Sequence, residues 1–458
     1  MIGPYDEAPF IVIWETTRAC ALACVHCRAE AIPRRDPREL TTGEGRALMD
    51  RVAAFGDPPP LLVLTGGDPL RRPDIAELVA YGTGRGLSVS LTPSGTAAVT
   101  EERLRALRDA GLTRLAVSLD GATPEAHDVF RGVVGSHRHT LRIVARARTL
   151  GLPLQINTTV CHRTVGDLPA LARQVEDFGA VLWALFFLIP VGRAEASQAL
   201  RPDEIETVLE WAAGLVGRVP FGVKTTEAPH FHRLLAQRRG TGAAPPRPSR
   251  LPVPDTVRRA GRAVTDGNGF VFVDHVGDIC PSGFLPLALG NVRRDDLVAV
   301  YREDAVFRAL REPAHLGGRC GHCEYREVCG GSRARAFAVT GDPLAEDPGC
   351  AWQPHGGALI AGGSDAALEV TEAAVMEALA TVFDPELGMS IVDLGLVYEV
   401  RVQAGRVGIT MTLTAPGCPI HDVMADWVRT AVLRVPGVAQ VDVALTFEPP
   451  WTPERIRR

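Results

Sequence analysis

Lysine is almost missing from this chain: of the 49 Lys and Arg residues among 458, Lys224 is the only lysine. Any anion held by side-chain charge is therefore held mostly by guanidinium forks, which match a carboxylate at two points. No uncharged apolar run approaches the length of a bilayer span, and the opening MIGPYDEAPF lacks the basic-then-apolar order of an export signal. A cytoplasmic protein is expected. An excess of charge is missing too: the net charge of -5 is modest for this length and gives no case for a general nucleic-acid or membrane-binding surface. Internal repeats and long low-complexity tracts are absent.

With 46% hydrophobic and 22% charged residues the chain can bury real cores, and its length predicts about two to four units. Ten cysteines in a reducing compartment point to metal or redox chemistry rather than to disulfides.

From residue 10 to about 217 short β-rich runs alternate with amphipathic helical runs. The strand candidates are FIVIWE (10–15), LLVLT (61–65), LSVSLT (87–92), RLAVSL (114–119), PLQINTTV (153–160) and VLWALFFL (181–188). Between them lie segments such as TEERLRALRDAGL, with a Thr cap, leucines at helical spacing and a closing Gly. Six such repeats predict an α/β fold, a partial (β/α)6 TIM-like barrel open on one side, over residues 1–239. A Pro-rich linker (240–261) leads to a small cysteine-rich domain (262–354) with a hairpin at GFVFVDHVGDIC. A Gly-rich linker (355–365) precedes a small α+β domain (366–458), read as helix, two strands (IVDLGLVYEVRV and RVGITMTLT), helix and strand.

Cys20, Cys24 and Cys27 form C-x3-C-x2-C just after the first strand. Three thiolates leave one iron of a four-iron cluster open, and an open iron can chelate the amino and carboxylate groups of a small molecule. A structural zinc site wants four ligands, with His26 as the available fourth. The cysteine motif at this place resembles that of the radical S-adenosylmethionine (SAM) enzymes, His26 standing where that family usually has an aromatic residue. The strand ends extend the resemblance. TGGDP supplies Gly66, Gly67 and Asp68 in the manner of the family's GGEP segment, which implies that they approach the SAM amino group. TPSG supplies Ser94 on the ribose side, and SLDG supplies Ser118 and Asp120. The resemblance further implies Arg131 for the SAM carboxylate, Asn157 from strand five and Arg193 at the barrel mouth.

Cys320, Cys323, Cys329 and Cys350 make a second set, C-x2-C-x5-C and a distant C. As bare chemistry this spacing also fits a zinc ribbon. Following the barrel, it resembles the SPASM/twitch-type extension and implies one auxiliary [4Fe-4S] cluster. Ser332 and Arg333 stand where a further cysteine is often found, and Cys280 has no cysteine close by in sequence, leaving it open as a lone ligand, a substrate contact or a structural thiol. Cys161 reads as a packing residue.

The strings VMEALATVFDPELGMSIVDLGLVYEV and MTLTAPGCPIHDVM resemble the small SufT/PaaD-like domains linked to iron-sulfur cluster assembly. The resemblance implies a reactive Cys418, which a nearby helix N-terminus would favour as thiolate, and matches Asp384 and Glu386 to an acidic motif. A buried structural cysteine is the plainer reading of Cys418.

Together these resemblances imply a radical SAM enzyme, its cofactors SAM, a SAM-binding [4Fe-4S] cluster and one auxiliary cluster, and its partners a small-molecule or peptide substrate and a reducing donor such as ferredoxin or flavodoxin. WETTRACALACVHCRAEA, FFLIPVGRA and CGGSRARAFAVTGDPLAEDPGC look most like the alternative heme synthase branch, which decarboxylates porphyrin propionates, with Arg193 facing a carboxylate. The competing branch modifies peptides; with nine residues before strand one, no fused leader-binding domain is expected. A non-catalytic iron-sulfur carrier and a zinc-stabilised interaction protein are the rivals from other classes.

Overall fold

The structure, a computed structural model, describes residues 5–240, 263–354, 371–380, 382, 389–403, 406–414, 421–432, 435, 438, 440–452 and 455. Most of both linkers, together with Asp384, Glu386 and Cys418, lie outside the described residues. The chain divides into two compact units, one holding both barrel and cysteine-rich segments and the other the C-terminal segment.

The first unit is built on β1 (Ile11–Glu15), β2 (Leu61–Thr65), β3 (Val89–Leu91), β4 (Arg114–Ser118), β5 (Leu154–Val160), β6 (Leu182–Phe187) and β7 (Gly222–Thr226), paired in parallel in that order. Helices cross between them, so most strands are buried on both faces. Where one face is less covered the burial alternates residue by residue, as in β5. Helix starts are set by side-chain caps: Thr41 and Glu44 form a reciprocal box, and Thr100 accepts from the Arg103 amide.

Two features depart from the sequence reading. β7 is a seventh parallel strand; as a half-exposed strand at the end of the sheet, GVKTT has neither an apolar run nor an alternation to announce it. The cysteine-rich segment also joins the barrel sheet. Its β8 (Phe270–Val273) pairs parallel with β1, and β9 (Asp278–Cys280) and β10 (Gly290–Asn291) extend the sheet antiparallel, giving ten strands.

The loop after β1 carries the first three cysteines, and its neighbours hold it by the backbone. Gly67 and Asp68 donate their amides to the Thr17 and Ala19 carbonyls at 2.7 Å each, and Cys20 N–H bonds the Ile32 carbonyl at 2.8 Å. Val25 N–H reaches the Phe130 carbonyl at 3.2 Å, and Arg193 N–H reaches Cys27 O at 3.1 Å. Such contacts require chains without side chains in the way. A Cβ on Gly67 would meet the Arg18 and Ala19 carbonyl oxygens at 2.6 Å, and one on Gly192 (φ +61°) would meet those of Cys27 and Arg28 at 2.5 Å.

The C-terminal unit pairs β11 (Val397–Gln403) antiparallel and β13 (Gln440–Leu445) parallel with β12 (Arg406–Met411). The helices Glu372–Leu379 and His421–Val432 contribute Val375, Leu379, Met424 and Val428 to its core. The expected strand through IVDLGL is instead a turn: Ser390 Oγ donates to Asp393 Oδ2 at 2.7 Å, and Gly395 takes φ +66°.

Gly192→Ala is expected to lower the iron content and the melting temperature of the reconstituted protein. Gly84→Ala, at a helix end with open space around the added methyl, is expected to change neither.

Candidate functional site

The C-terminal ends of the strands surround an open pocket whose lining is part polar and part apolar. One wall is polar: Thr65, Gly66, Gly67, Ser94, Ser118, Asn157 and Thr159, from the ends of β2 to β5. A further stretch of the lining is apolar: Phe186, Phe187, Leu188 and Ile189 from the end of β6, where Phe186 is the register partner of Thr159 on β5, with Phe284 from the cysteine-rich segment. Cys20, Cys24 and Cys27 also line it, in one packed group with Leu22.

Each sulfur of this group has a neighbouring polar group. Cys20 Sγ lies 3.2 Å from Ser94 Oγ and accepts from Leu22 N–H at 3.3 Å. Cys24 Sγ lies 3.7 Å from Arg131 Nη1, and Cys27 Sγ accepts from Ala31 N–H at 3.5 Å. Burial pushes the Cys20 and Cys24 thiols up, so a bound cation is what would favour their thiolates.

Arg131 comes from the helix Pro124–Arg131 and is held by Asp120, its Nε bonding Oδ2 at 2.6 Å. Burial works against the Asp120 carboxylate, but the Arg131 guanidinium outweighs it and holds the carboxyl below its usual range. Asp120 also accepts from Thr159 N–H at 2.7 Å, so it steadies the site from beneath and does not line the cavity.

Other expected residues take roles the sequence did not specify. Asp68 Oδ1 accepts from the Leu70 and Ser94 amides at 3.1 and 3.4 Å, while its buried Oδ2 has no partner among the described residues; like Asp120, Asp68 lies behind the cavity-lining residues and not among them. That orphaned oxygen, beside Gly67 and Ser94, fits a ligand ammonium group. Gly66 and Gly67 line the cavity, yet their close approach is to the backbone of the cysteine loop. Arg193 turns onto that loop, bonding Cys24 O at 3.0 Å and Ala31 O at 3.3 Å; it braces the loop and is not among the cavity-lining residues. His26 stacks on Phe130 at 4.0 Å and 11°, doing the work of an aromatic ring. Burial, reinforced by Arg131, pushes its imidazole down to about 3.

Sequence reasoning missed a buried set beside Cys27. Arg28 Nη2 bonds Glu15 Oε2 at 2.7 Å, stacks its guanidinium 4.6 Å from the Phe272 ring centre, and reaches Gly283 O at 3.3 Å. His275, after β8, lies 3.2 Å from the other Glu15 oxygen. All are far from Cys27 in sequence except Arg28, so spacing carried no signal.

Cys320, Cys323, Cys329 and Cys350 line one small pocket. Cys320 Sγ accepts from Asp347 N–H at 3.4 Å and lies 3.6 Å from Arg333 Nη2; Cys323 Sγ accepts from Tyr325 N–H at 3.4 Å. His230 lies 3.0 Å from Asp347. Burial opposes its charge, but Asp347 raises it to about 9, and His230 in turn draws the Cys350 thiol down against its own burial. Arg335 bonds both Asp347 oxygens at 3.0 and 3.1 Å. Four cysteines on one pocket supply the four thiolates that a [4Fe-4S] cluster takes, and the three of the first set would leave one iron open.

Cys280 is buried on β9, and burial pushes its thiol up to about 12. Cys161 packs with Phe130 and Leu188, as a packing residue should. No helix among the described residues is long and apolar enough to cross a membrane.

Residues 14–175 match the Radical SAM superfamily, and residues 372–443 match the family described as iron-sulfur cluster assembly protein. The chain is 39% identical over 353 residues to the AdoMet-dependent heme synthase of Methanosarcina barkeri, covering 76% of this chain and 98% of that protein. It is 32% identical over 356 residues to the mycofactocin maturase MftC of Mycobacterium tuberculosis, covering 75% and 83%. Its fold is similar to Streptococcus suis SuiB bound to S-adenosylmethionine, with a TM-score of 0.59, 14% identity and coverage of 75% and 77%.

Removing Asp120 leaves Arg131 buried without its carboxylate, a loss of about 3–5 kcal/mol for a broken buried pair. Because the folded Asp120 carboxyl lies below its unfolded value, the pair stabilises fully above the ordinary carboxyl range. That contribution is lost as pH falls through the folded value. Urea unfolding should therefore separate parent and Asp120→Asn widely at pH 7 and bring them together in acid.

Proposed function

The chain belongs to the radical SAM superfamily, and from that premise we propose that it acts on a tetrapyrrole, removing carboxyl groups from propionate side chains. It is a radical SAM enzyme, with a [4Fe-4S] cluster and S-adenosylmethionine as cofactors and an auxiliary cluster of the kind typical of SPASM relatives. When bound, these groups supply the electron that splits SAM, the 5'-deoxyadenosyl radical that takes a hydrogen atom from the substrate, and a second electron-transfer centre.

The chain's own residues divide the remaining work. Cys20, Cys24 and Cys27 hold the SAM-side cluster; Cys320, Cys323, Cys329 and Cys350 hold the auxiliary one. Asp68 Oδ2 and the Gly66 and Gly67 backbone receive the SAM ammonium group, with Ser94, Ser118 and Asn157 along the rest of the polar wall. Arg131, fixed by Asp120, meets the SAM carboxylate. A small reducing protein such as ferredoxin or flavodoxin delivers the electron.

The observation that carries the substrate class is the mixed lining of the cavity: polar strand ends suited to SAM and, beginning on the next strand, an apolar, phenylalanine-rich stretch suited to a flat macrocycle. The heme synthase relative, matched over 98% of its length, supports the same reading. Peptide modification is the second reading, supported by the maturase relative.

Under anaerobic reducing conditions, reconstituted protein given SAM and an iron porphyrin with propionates is expected to form 5'-deoxyadenosine and to release carbon dioxide. Cys24→Ala should form neither. 5'-Deoxyadenosine without porphyrin conversion would sink the tetrapyrrole reading while leaving the radical chemistry intact.

The C-terminal unit loads or repairs the clusters of its own chain; covalent fusion keeps it at an effective concentration of about millimolar. Expression of the chain without residues 366–458 should give protein with less iron per chain. Equal iron content with and without the unit would count against this role.

A further inference from the structure

We propose that Arg28 holds a propionate carboxylate of the substrate; the assignment rests on the tetrapyrrole reading above. Among the described residues lining the cavity at the strand ends, the guanidinium side chains are Arg28 and Arg131. A substrate bearing carboxylates in that cavity therefore has two guanidinium groups to choose from. Arg131 is the poorer choice. It has its own buried carboxylate, Asp120, bonded through Nε at 2.6 Å and paired also through Nη2, and it stands with the polar strand ends.

Arg28 also lines the cavity and is tied by its contact with Gly283 O to the segment that carries Phe284. Its counter-charge is divided: one Glu15 oxygen takes Arg28 Nη2 at 2.7 Å, and the other faces His275 Nδ1 at 3.2 Å. Its Nη1 makes only a loose contact, 3.3 Å to Gly283 O. The Phe272 ring, 4.6 Å from the guanidinium carbon, and Glu15 fix the side chain without using all five of its N–H groups. The result is a preoriented guanidinium with spare donors, one residue beyond Cys27. A carboxylate gripped there would hold the two carbons of its own propionate arm inside the pocket that the cysteines and the polar strand ends share. The macrocycle can then lie on Phe186, Phe187 and Phe284.

The test is equilibrium binding of iron coproporphyrin III and of its tetramethyl ester to the reconstituted full-length protein, followed by absorbance. Two variants are compared with the parent at equal iron content. Arg28→Lys keeps the charge and loses the fork. Glu15→Gln combined with Arg28→Gln removes both buried charges together, so no lone carboxylate is left to unfold the loop. The parent is expected to bind the acid about ten- to hundredfold tighter than the ester, the range of a charge-assisted fork. Both variants should lose most of that preference while binding the ester as the parent does; a merely structural role would weaken acid and ester alike. Variants that keep the parent's preference, or a parent without one, overturn the assignment and leave tetrapyrrole binding standing. A parent that binds neither compound overturns the tetrapyrrole reading and this assignment with it.

Discussion

Everything in the first unit depends on a loop of backbone held by other backbone. The segment from Thr16 to Ile32 has no regular structure of its own beyond a bridge between Ala19 and Ile32, yet it carries three sulfurs. Its carbonyls and amides are taken by the loops after β2 and β6 and by the helix Pro124–Arg131. Peptide groups can come this close only where side chains are missing, which is why glycines stand at 67 and 192. A cluster that must offer one open iron to a ligand needs its sulfurs placed before the ligand arrives. Hydrogen bonds to main chain do this without adding charge near the metal.

Charge enters separately, and differently at the two cysteine sets. At the first, the cation within hydrogen-bond reach of a sulfur is Arg131, paired with Asp120, while Arg193 and Arg28 are turned to loop carbonyls and to Glu15. At the second, His230 and Arg333 approach the sulfurs directly, with Asp347 and Arg335 as the balancing shell. Hydrogen bonds and positive charge near cluster sulfurs favour the reduced form.

The cysteine sets were legible because ligand spacing is local: each thiol lies within a few residues of the next, apart from Cys350. The strand ends were legible because a parallel barrel delivers them to one face in order. Contacts between distant segments left no such trace. Nothing around Glu15, Phe272 or Gly283 announces that they meet at Arg28, and His230 carries no motif tying it to Cys350 across 120 residues. The glycines of TGGDP were readable as a close approach, but the partner proved to be the cysteine loop as well as the cavity. Arg193, expected to face a carboxylate, was drawn instead to bare loop carbonyls.

The account stands on the first cysteine set holding a cluster to which SAM binds directly. Electron paramagnetic resonance of the reduced full-length protein, recorded with and without SAM, tests this most directly. Two cluster signals are predicted. SAM should alter one of them, and that one should be missing from Cys24→Ala and retained in Cys329→Ala. A spectrum unmoved by SAM, or a SAM-sensitive signal that survives in Cys24→Ala, would contradict it.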